Sequence, residues 1–488
     1  MHKGGKTKKL QNANIDTLSS SKPSCSLLDP NPSLIEKDGK LINNINLAAS
    51  LTTYRNGTIA DGVSKLILII DSKSSLQFSI NDTKPDNLTN GTLSSLSQSS
   101  NVSNSTASDS PQNISNGKSV VAAAYTSPDS FDQDAGSKRT INVNVSDPNN
   151  LATTLLEIPI HLYRPPVVLI HGLWGNSVNT WVKTKFTYEL TKKGFIYAFA
   201  DYGEHNSETF DPDAIKKIGN YGIDSIRNTI NYILNVYHYF SIAASQADIV
   251  AHSMGGLMAR GFVQQDDYKR KENYMKGSIH RLITIGTPHL GGPLSKFLDD
   301  HRDDRYCFDE NGKILEKCFP PIQLESFYEN RNIPIDQGGI KSLIPGSDAY
   351  SHLHQTSVKS YAIAGSYRPS ANNSHESQES FYKNVLGAGH FNLDKDAFDD
   401  DNDLVVSVTS QLGGLPKHIR QPNNNDIPNH SALYCNTVHD CFYLKDQGIS
   451  SETNSQYIKE DVTKLLSSSD NNKFADAIGK GPPSRPSK

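Results

Sequence analysis

The chain has 488 residues, 36% of them hydrophobic and 20% charged, which is about three domain-lengths at roughly 150 residues each and a low apolar share for that size. Forty-eight basic residues against 52 acidic ones leave a net charge of −4, which argues against nucleic acid or an anionic membrane as the obligatory partner. The longest aliphatic run, 66–70, falls far short of the roughly 18 to 20 residues that cross a bilayer, so no transmembrane segment is expected. Residues 1–44, rich in Lys, Asn, Ser and Pro without a sustained period, read as a disordered tail. Its basic start is not followed by the apolar h-region of a secretory signal. Residues 45–160 change texture. Leu66, Leu68 and Ile70 alternate with Ile67 and Ile69, the pattern of a strand buried on both faces. Leu76, Phe78 and Ile80 alternate with Gln77 and Ser79, the pattern of a strand buried on one. Further strand patterns fall at 119–125, 141–145 and 155–162. Between them the Ser, Asn and Thr tract 81–117 reads as a disordered insertion, unable to bury enough surface to offset its ordering entropy. Short strands without a helical stretch predict a small antiparallel β-sandwich.

From 161 to 470 strands alternate with helices. Strands are expected at 167–170, 195–200, 247–251, 282–285, 361–364, 404–408 and 432–435, with helices at 213–239 and 452–466. Such alternation predicts an α/β domain built on a mostly parallel sheet covered by helices on both faces. Residues 294–358 exceed what a connection requires. Phe319, Ile322, Leu324, Phe327, Ile340, Leu343 and Ile344 give that insertion the apolar content of a cap or lid. The Pro-rich end, 471–488, reads as a second disordered tail.

Five cysteines exclude a disulfide-dense scaffold. The separations Cys307 to Cys318 and Cys435 to Cys441 can each close a small loop, and free buried thiols are an equal alternative. Cys435, His439 and Cys441 also offer three zinc ligands, without the usual C-x2-C spacing. Asn-x-Ser/Thr sequons recur at Asn56, Asn81, Asn87, Asn90, Asn101, Asn104, Asn113 and Asn144, although composition alone produces many in such a chain. An extracellular or cell-surface location is favoured, with no signal peptide visible in this numbering.

The chemistry concentrates in three words. Ile249-Val250-Ala251-His252-Ser253-Met254-Gly255-Gly256-Leu257 places a serine between small residues where a strand turns into a helix. That turn presents a nucleophile beside the unpaired N–H groups of a helix start. Ala251 replaces the first Gly of G-x-S-x-G, which is sterically tolerable. Upstream, Val167-Val168-Leu169-Ile170-His171-Gly172-Leu173-Trp174-Gly175-Asn176 joins a buried strand to a Gly-flanked loop. Downstream, Ile285-Gly286-Thr287-Pro288-His289-Leu290-Gly291-Gly292 follows the next strand. These three ordered motifs resemble the α/β-hydrolase superfamily, and within it bacterial lipases with an Ala-His-Ser-Met-Gly elbow; the resemblance covers about 164–466. The segment Ala60-Asp61-Gly62-Val63-Ser64 is similar to the opening of bacterial immunoglobulin-like repeats.

The resemblance implies that Ser253 is the nucleophile and that the amides of Leu173 and Met254 form the oxyanion hole. It also implies the chain order serine, acid, histidine. The acid is then sought among Asp394, Asp396, Asp399, Asp400, Asp401 and Asp403. Asp403 leads, because it precedes the apolar 404–408 and so resembles the Asp-Gly-Val-Val word of lipases, and Asp401 comes second. The same cluster can hold a structural Ca²⁺, with a solvated acidic turn as the plainer reading. For the base, His439 follows the expected last strand and His430 precedes it; His439 is preferred and His430 is the alternative. His171, His252 and His289, inside the motifs, are expected to brace loops. The implied function is a lipase-like serine ester hydrolase acting on an acyl-ester or lipid substrate through an acyl-enzyme, without an organic cofactor. An amidase or acyltransferase on the same fold, or an inert surface-binding protein, are the alternatives.

Overall fold

The computed structural model describes residues 25–81, 90–96, 105–131, 136–205, 209–213, 221–300, 306–308, 314–316, 338–367, 401–421, 424, 426–439 and 450–479. The amino-terminal part is a sandwich of two sheets. The first contains β1 (Cys25–Leu28), β3 (Lys65–Asp71), β5 (Thr92–Ser95), β7 (Gln112–Asn113) and β8 (Ser119–Thr126), all antiparallel, in the order β1-β3-β8 with β5 and β7 on β8. The second contains β2 (Gly57–Ile59), β4 (Leu76–Asn81), β6 (Thr106–Asp109), β9 (Lys138–Asp147), β10 (Asn150–Tyr163) and β13 (Ile242–Ala243), ordered β13-β2-β10-β9-β4-β6. Leu66, Leu68 and Ile70 point from β3 into the sandwich core against Phe78, Val143 and Ile160. Ile67 and Ile69 point the other way, against Leu28, Leu34, Ala48 and Leu51.

That second face corrects the amino-terminal expectation. Residues 25–51 are folded, because a strand apolar on both faces needs a cover, and this segment supplies it. The polar tract 81–117 departs from the expectation at its described residues: it contributes β5, β6 and β7, whose few apolar residues, Leu93 and Ala107, reach the core. The sandwich also extends past residue 160 in the chain. β13 pairs parallel to β2, and β2 in turn pairs parallel to β10, so a strand from within the α/β part edges the sandwich sheet.

The second part is built on a six-stranded parallel sheet, ordered β12-β11-β14-β15-β18-β19. Its strands are β11 (Val167–Ile170), β12 (Tyr197–Ala200), β14 (Ala247–His252), β15 (Ile279–Ile285), β18 (Lys359–Ser366) and β19 (Ser431–Cys435). Successive side chains alternate between faces. Val168, Ile170, Ile249 and Leu282 meet Ile226, Ile230 and Ile233 of the helix Tyr221–Tyr239 and Leu257 of the helix Met254–Val263. Val167, Leu169, Val250 and Ile283 meet Trp181, Phe186 and Leu190 on one side and Ile458, Val462 and Leu465 of the helix Gln456–Leu466 on the other. This is the α/β-hydrolase sheet with helices on both faces, preceded by a mainly antiparallel sandwich.

Three boundaries differ from the expectation. Residues 404–408 are not a strand but a tight loop running into the helix Val408–Leu412, with Leu404 at φ 80°. The last helix starts at Gln456 rather than at 452. Residues 471–479 fold back instead of trailing away: Phe474 and Ile478 are buried and Ala475 bridges to Ser360. Within the insertion the structure describes the helix Pro293–Asp300, a hairpin of β16 (Tyr306–Phe308) and β17 (Ile314–Glu316), and the helices Gly338–Leu343 and Asp348–His352. Ile340 and Leu343 are buried there, and Ile344 is half-buried. Phe319, Ile322, Leu324 and Phe327 lie outside the described residues, as do Cys318 and Cys441. No described helix is long and apolar enough to cross a membrane.

Candidate active site

From β11 the chain moves to β12 on one side and later to β14 on the other, so the strand order reverses between β11 and β14. A crevice opens at the carboxyl ends of the strands at such a point. The elbow stands there. β14 ends at His252 and the helix begins at Met254, so the whole turn falls on Ser253, which adopts φ 54° and ψ −134°. A left-handed conformation of this kind costs a non-glycine residue on the order of 1 to 3 kcal/mol and persists only where its surroundings enforce it. The enforcement is visible. The Ser253 amide donates to the Ile285 carbonyl at 2.9 Å. A Cβ on Gly255 would lie 2.5 Å from the His171 carbonyl oxygen, and one on Gly256 would run into the Thr287 side chain.

The loop after β11 closes over the hydroxyl. A Cβ on Gly172 would lie 2.5 Å from Ser253 Cβ and 3.0 Å from its Oγ, so only glycine allows this approach. Leu173 follows Gly172, and Met254 follows Ser253 as the first residue of its helix, where N–H groups have no acceptor within the helix. The loop is braced by His171, fully buried, whose ring stacks on Tyr202 at 4.2 Å. Its Nε2 lies 3.2 Å from Asp201 Oδ1, and its carbonyl accepts from the Tyr202 hydroxyl at 2.6 Å. The His171 contact is the main reason that the Asp201 carboxyl is held well below the usual range. His289 serves the neighbouring loop, with Nε2 3.1 Å from Thr284 Oγ1 and its carbonyl accepting from buried Arg260. Burial, then the Arg260 charge, push it well below the ordinary imidazole range.

The acid and base candidates separate cleanly. His439 Nδ1 lies 2.7 Å from Asp403 Oδ2, and the His439 amide donates to the Asp403 carbonyl at 3.0 Å. Asp403 is fully buried, and its other oxygen accepts the amides of Val405 at 2.9 Å and Val406 at 2.6 Å. The loop is clamped to β18 through Gln411, whose side-chain amide bonds both main-chain groups of Gly365 and the Val406 carbonyl. Asp401 faces elsewhere: its carboxylate pairs with Lys417 at 2.9 Å in a partly exposed position. His430 precedes β19, at the end of the sheet opposite to the elbow, where its amide donates to the Lys473 carbonyl. Asp394, Asp396, Asp399 and Asp400, and with them the proposed Ca²⁺ cluster, lie outside the described residues.

His439 reaches the elbow through His252. Their ring centroids are 4.7 Å apart. Burial, followed by the neighbouring His439 charge, pushes His252 well below the ordinary imidazole range, so it remains neutral. A further carboxylate, absent from the sequence-based set, completes the cluster. Glu452 is fully buried, with Oε2 3.5 Å from His439 Nδ1 and 3.5 Å from His252 Nε2. Reading Ser455 as the helix cap would have placed Glu452 in the preceding loop. A ring nitrogen of His252, one of His439 and a carboxylate oxygen of Glu452 lie within 4.8 Å of one another.

Residues 162–302 match the family described as PGAP1-like alpha/beta domain. GPI inositol-deacylase A of Yarrowia lipolytica is 34% identical over 70 residues, which are 14% of this chain and 6% of that protein. GPI inositol-deacylase of Emericella nidulans is 23% identical over 150 residues, 27% of this chain and 12% of that protein. The chain therefore spans only a small part of the curated relatives it matches. Among solved structures, the mature lipase BlEst2 of Bacillus licheniformis is 17% identical, with a TM-score of 0.34, covering 62% of this chain and 92% of that one. The strand order, with helices on both faces, and the family match over 162–302 together show that the second part of this chain has the α/β-hydrolase fold.

Proposed function

We propose that the chain is a serine ester hydrolase acting on acyl esters of lipids, with Ser253 as nucleophile, His439 as base and Asp403 as the acid that orients it. The observation that carries this reading is the 2.7 Å pair of His439 and buried Asp403 beside the strained Ser253 elbow. In the proposed reaction Ser253 Oγ attacks the ester carbonyl while His439 Nε2 takes the hydroxyl proton. The N–H groups of Leu173 and Met254 receive the developing oxyanion, each worth roughly 3 to 4 kcal/mol in such a role. Collapse breaks the C–O bond, and His439 returns its proton to the leaving alkoxide. Water then attacks the acyl-enzyme with His439 again as base, releasing the carboxylic acid and restoring Ser253.

The names of the relatives narrow the substrate class. Two sequences similar to this chain are called GPI inositol-deacylases, so an acyl group esterified to the inositol of a lipid is the substrate to test first. The decisive measurement is a panel of chromogenic esters of graded acyl length, together with an inositol-acylated phosphatidylinositol, on wild type and Ser253→Ala. Turnover by wild type that disappears in the variant is expected. No turnover by either protein, or equal turnover by both, would reject the reading.

A further inference from the structure

Strands β20 (Thr437–Val438) and β21 (Ser450–Ser451) pair in parallel, with Thr437 opposite Ser450 and Val438 opposite Ser451. The next residues in this register are His439 and Glu452. The sheet therefore delivers the imidazole and the carboxylate side by side. The main chain makes room for that carboxylate at two strand ends. A Cβ on Gly286, just after β15, would run into Glu452 Oε2 and come within 2.9 Å of His439 Nδ1. A Cβ on Gly365, near the end of β18, would lie 2.6 Å from Glu452 Oε1. Gly286 also takes φ 60°, so the two requirements coincide at one position.

Burying a carboxylate is unfavourable unless charge or hydrogen bonds compensate it. Among the described residues, the titratable side chains against Glu452 are His252 and His439, with Asp403 on the other side of His439. Burial disfavours a proton on His252, whereas His439 acquires one in the proposed reaction, and Glu452 Oε2 lies 3.5 Å from that ring. The distances divide the labour. At 2.7 Å Asp403 takes the Nδ1 hydrogen bond, and at 3.5 Å Glu452 acts on the same nitrogen mainly through charge.

We propose that Glu452 is a positioning residue for the base: a second carboxylate that shares with Asp403 the stabilisation of the imidazolium formed when His439 takes the Ser253 proton. The inference rests on the serine-hydrolase reading above and adds a charge that the Ser253, His439 and Asp403 set lacks.

The test follows fluorophosphonate labelling of Ser253 against pH in the full chain, a probe that needs no knowledge of the natural ester. Removing a negative charge beside His439 lowers its affinity for a proton, so the neutral base persists to lower pH. In Glu452→Gln the acidic limb of the labelling rate is expected to move down by roughly 1 to 3 pH units, the range for an opposite charge at this separation. Glu452→Asp, which keeps the charge but withdraws it by one methylene, is expected to move it less, and it carries the test if Glu452→Gln does not fold. Asp403→Asn/Glu452→Gln is expected to label at least about tenfold more slowly than Asp403→Asn alone. An unmoved acidic limb, or equal rates in the double and single variants, overturns the proposal. Wild type that labels no better than Ser253→Ala would instead reject the hydrolase reading, and this inference with it.

Discussion

A methyl group on Gly172 would sit 2.5 Å from Ser253 Cβ and 3.0 Å from its Oγ, with the His252 carbonyl 3.1 Å away, so the loop must shift to accept it. Gly172→Ala is therefore expected to displace the oxyanion loop and lower kcat about 100-fold, the scale of a misplacement near 1 Å, while the thermal midpoint changes little. The acid gives a sharper contrast. Asp403→Asn is expected to reduce kcat about 10⁴-fold by misorienting the imidazole, whereas Asp401→Asn, which weakens a partly exposed pair with Lys417, should remain within tenfold of wild type. Similar losses in both variants would reject the assignment of Asp403. By the same logic His439→Ala should abolish turnover and His430→Ala should not. Asp403 and His439, which the structure brings together, could be singled out as candidates because each sits in a local word, next to an apolar segment at a strand or loop boundary. Glu452 was not, because nothing within 452–456 announces that parallel pairing with 437–438 aligns it with His439.

Between elements, the sandwich and the hydrolase sheet are joined by a buried ionic knot. His280 of β15 stands between Asp248 of β14, with Nδ1 to Oδ1 2.8 Å, and Asp129 of the loop after β8, with Nε2 to Oδ1 3.0 Å. Arg281 beside it donates to the Asp129 and Ser468 carbonyls at 3.0 Å and stacks over Phe474 at 4.7 Å. Burial alone would lower the His280 proton affinity, but the two carboxylates outweigh it and raise its pKa to about 9. A pKa raised above its unfolded value of about 6.5 contributes stability that is complete below that value and is lost as pH rises through 9. Its full size is on the order of 3 kcal/mol. The thermal midpoint is expected to fall between pH 7 and 10 in wild type, and to fall less in His280→Gln. Parallel curves would show that the knot carries no such linkage. The same scale explains why 404–408 misled. Leu404, Val406 and Val408 are buried, as a strand's apolar residues would be, yet Leu404 at φ 80° turns the chain so that the Asp403 carboxylate accepts two local amides instead.

Across the whole molecule, the sequence pattern indicated both folded parts but not how they share elements. Hydrophobic alternation located the strands of the parallel sheet and, in the sandwich, β3, β4, β8, β9 and β10, because each buries a regular face, but not the short β1, β2, β5, β6 and β7. It could not show that 25–51 covers the outer face of β3, nor that β13 edges the sandwich, since a two-residue strand has no period to read. Both have a measurable consequence. Deleting residues 25–51 would expose Ile67, Ile69, Val120 and Ala122, which are buried at present. That loss is expected to lower stability by several kcal/mol at roughly 25 cal/mol per Å² and to render the product prone to aggregation. A variant that keeps the association state of the full chain with an unchanged thermal midpoint would refute the covering role.

The pairing of β13 with β2 also sets an order of assembly. The Asn56 amide donates to the Ser241 carbonyl, the Arg55 guanidinium donates to the His238 carbonyl, and Ile242–Ala243 lies along Gly57–Thr58. On a ribosome the first 163 residues emerge with this edge open, and it closes only after about 80 more have been made, including the first two strands of the neighbouring sheet. The amino-terminal module is thus finished by the α/β part that follows it, and nascent chains arrested before residue 243 should present an unpaired edge that chaperones or other nascent chains can bind.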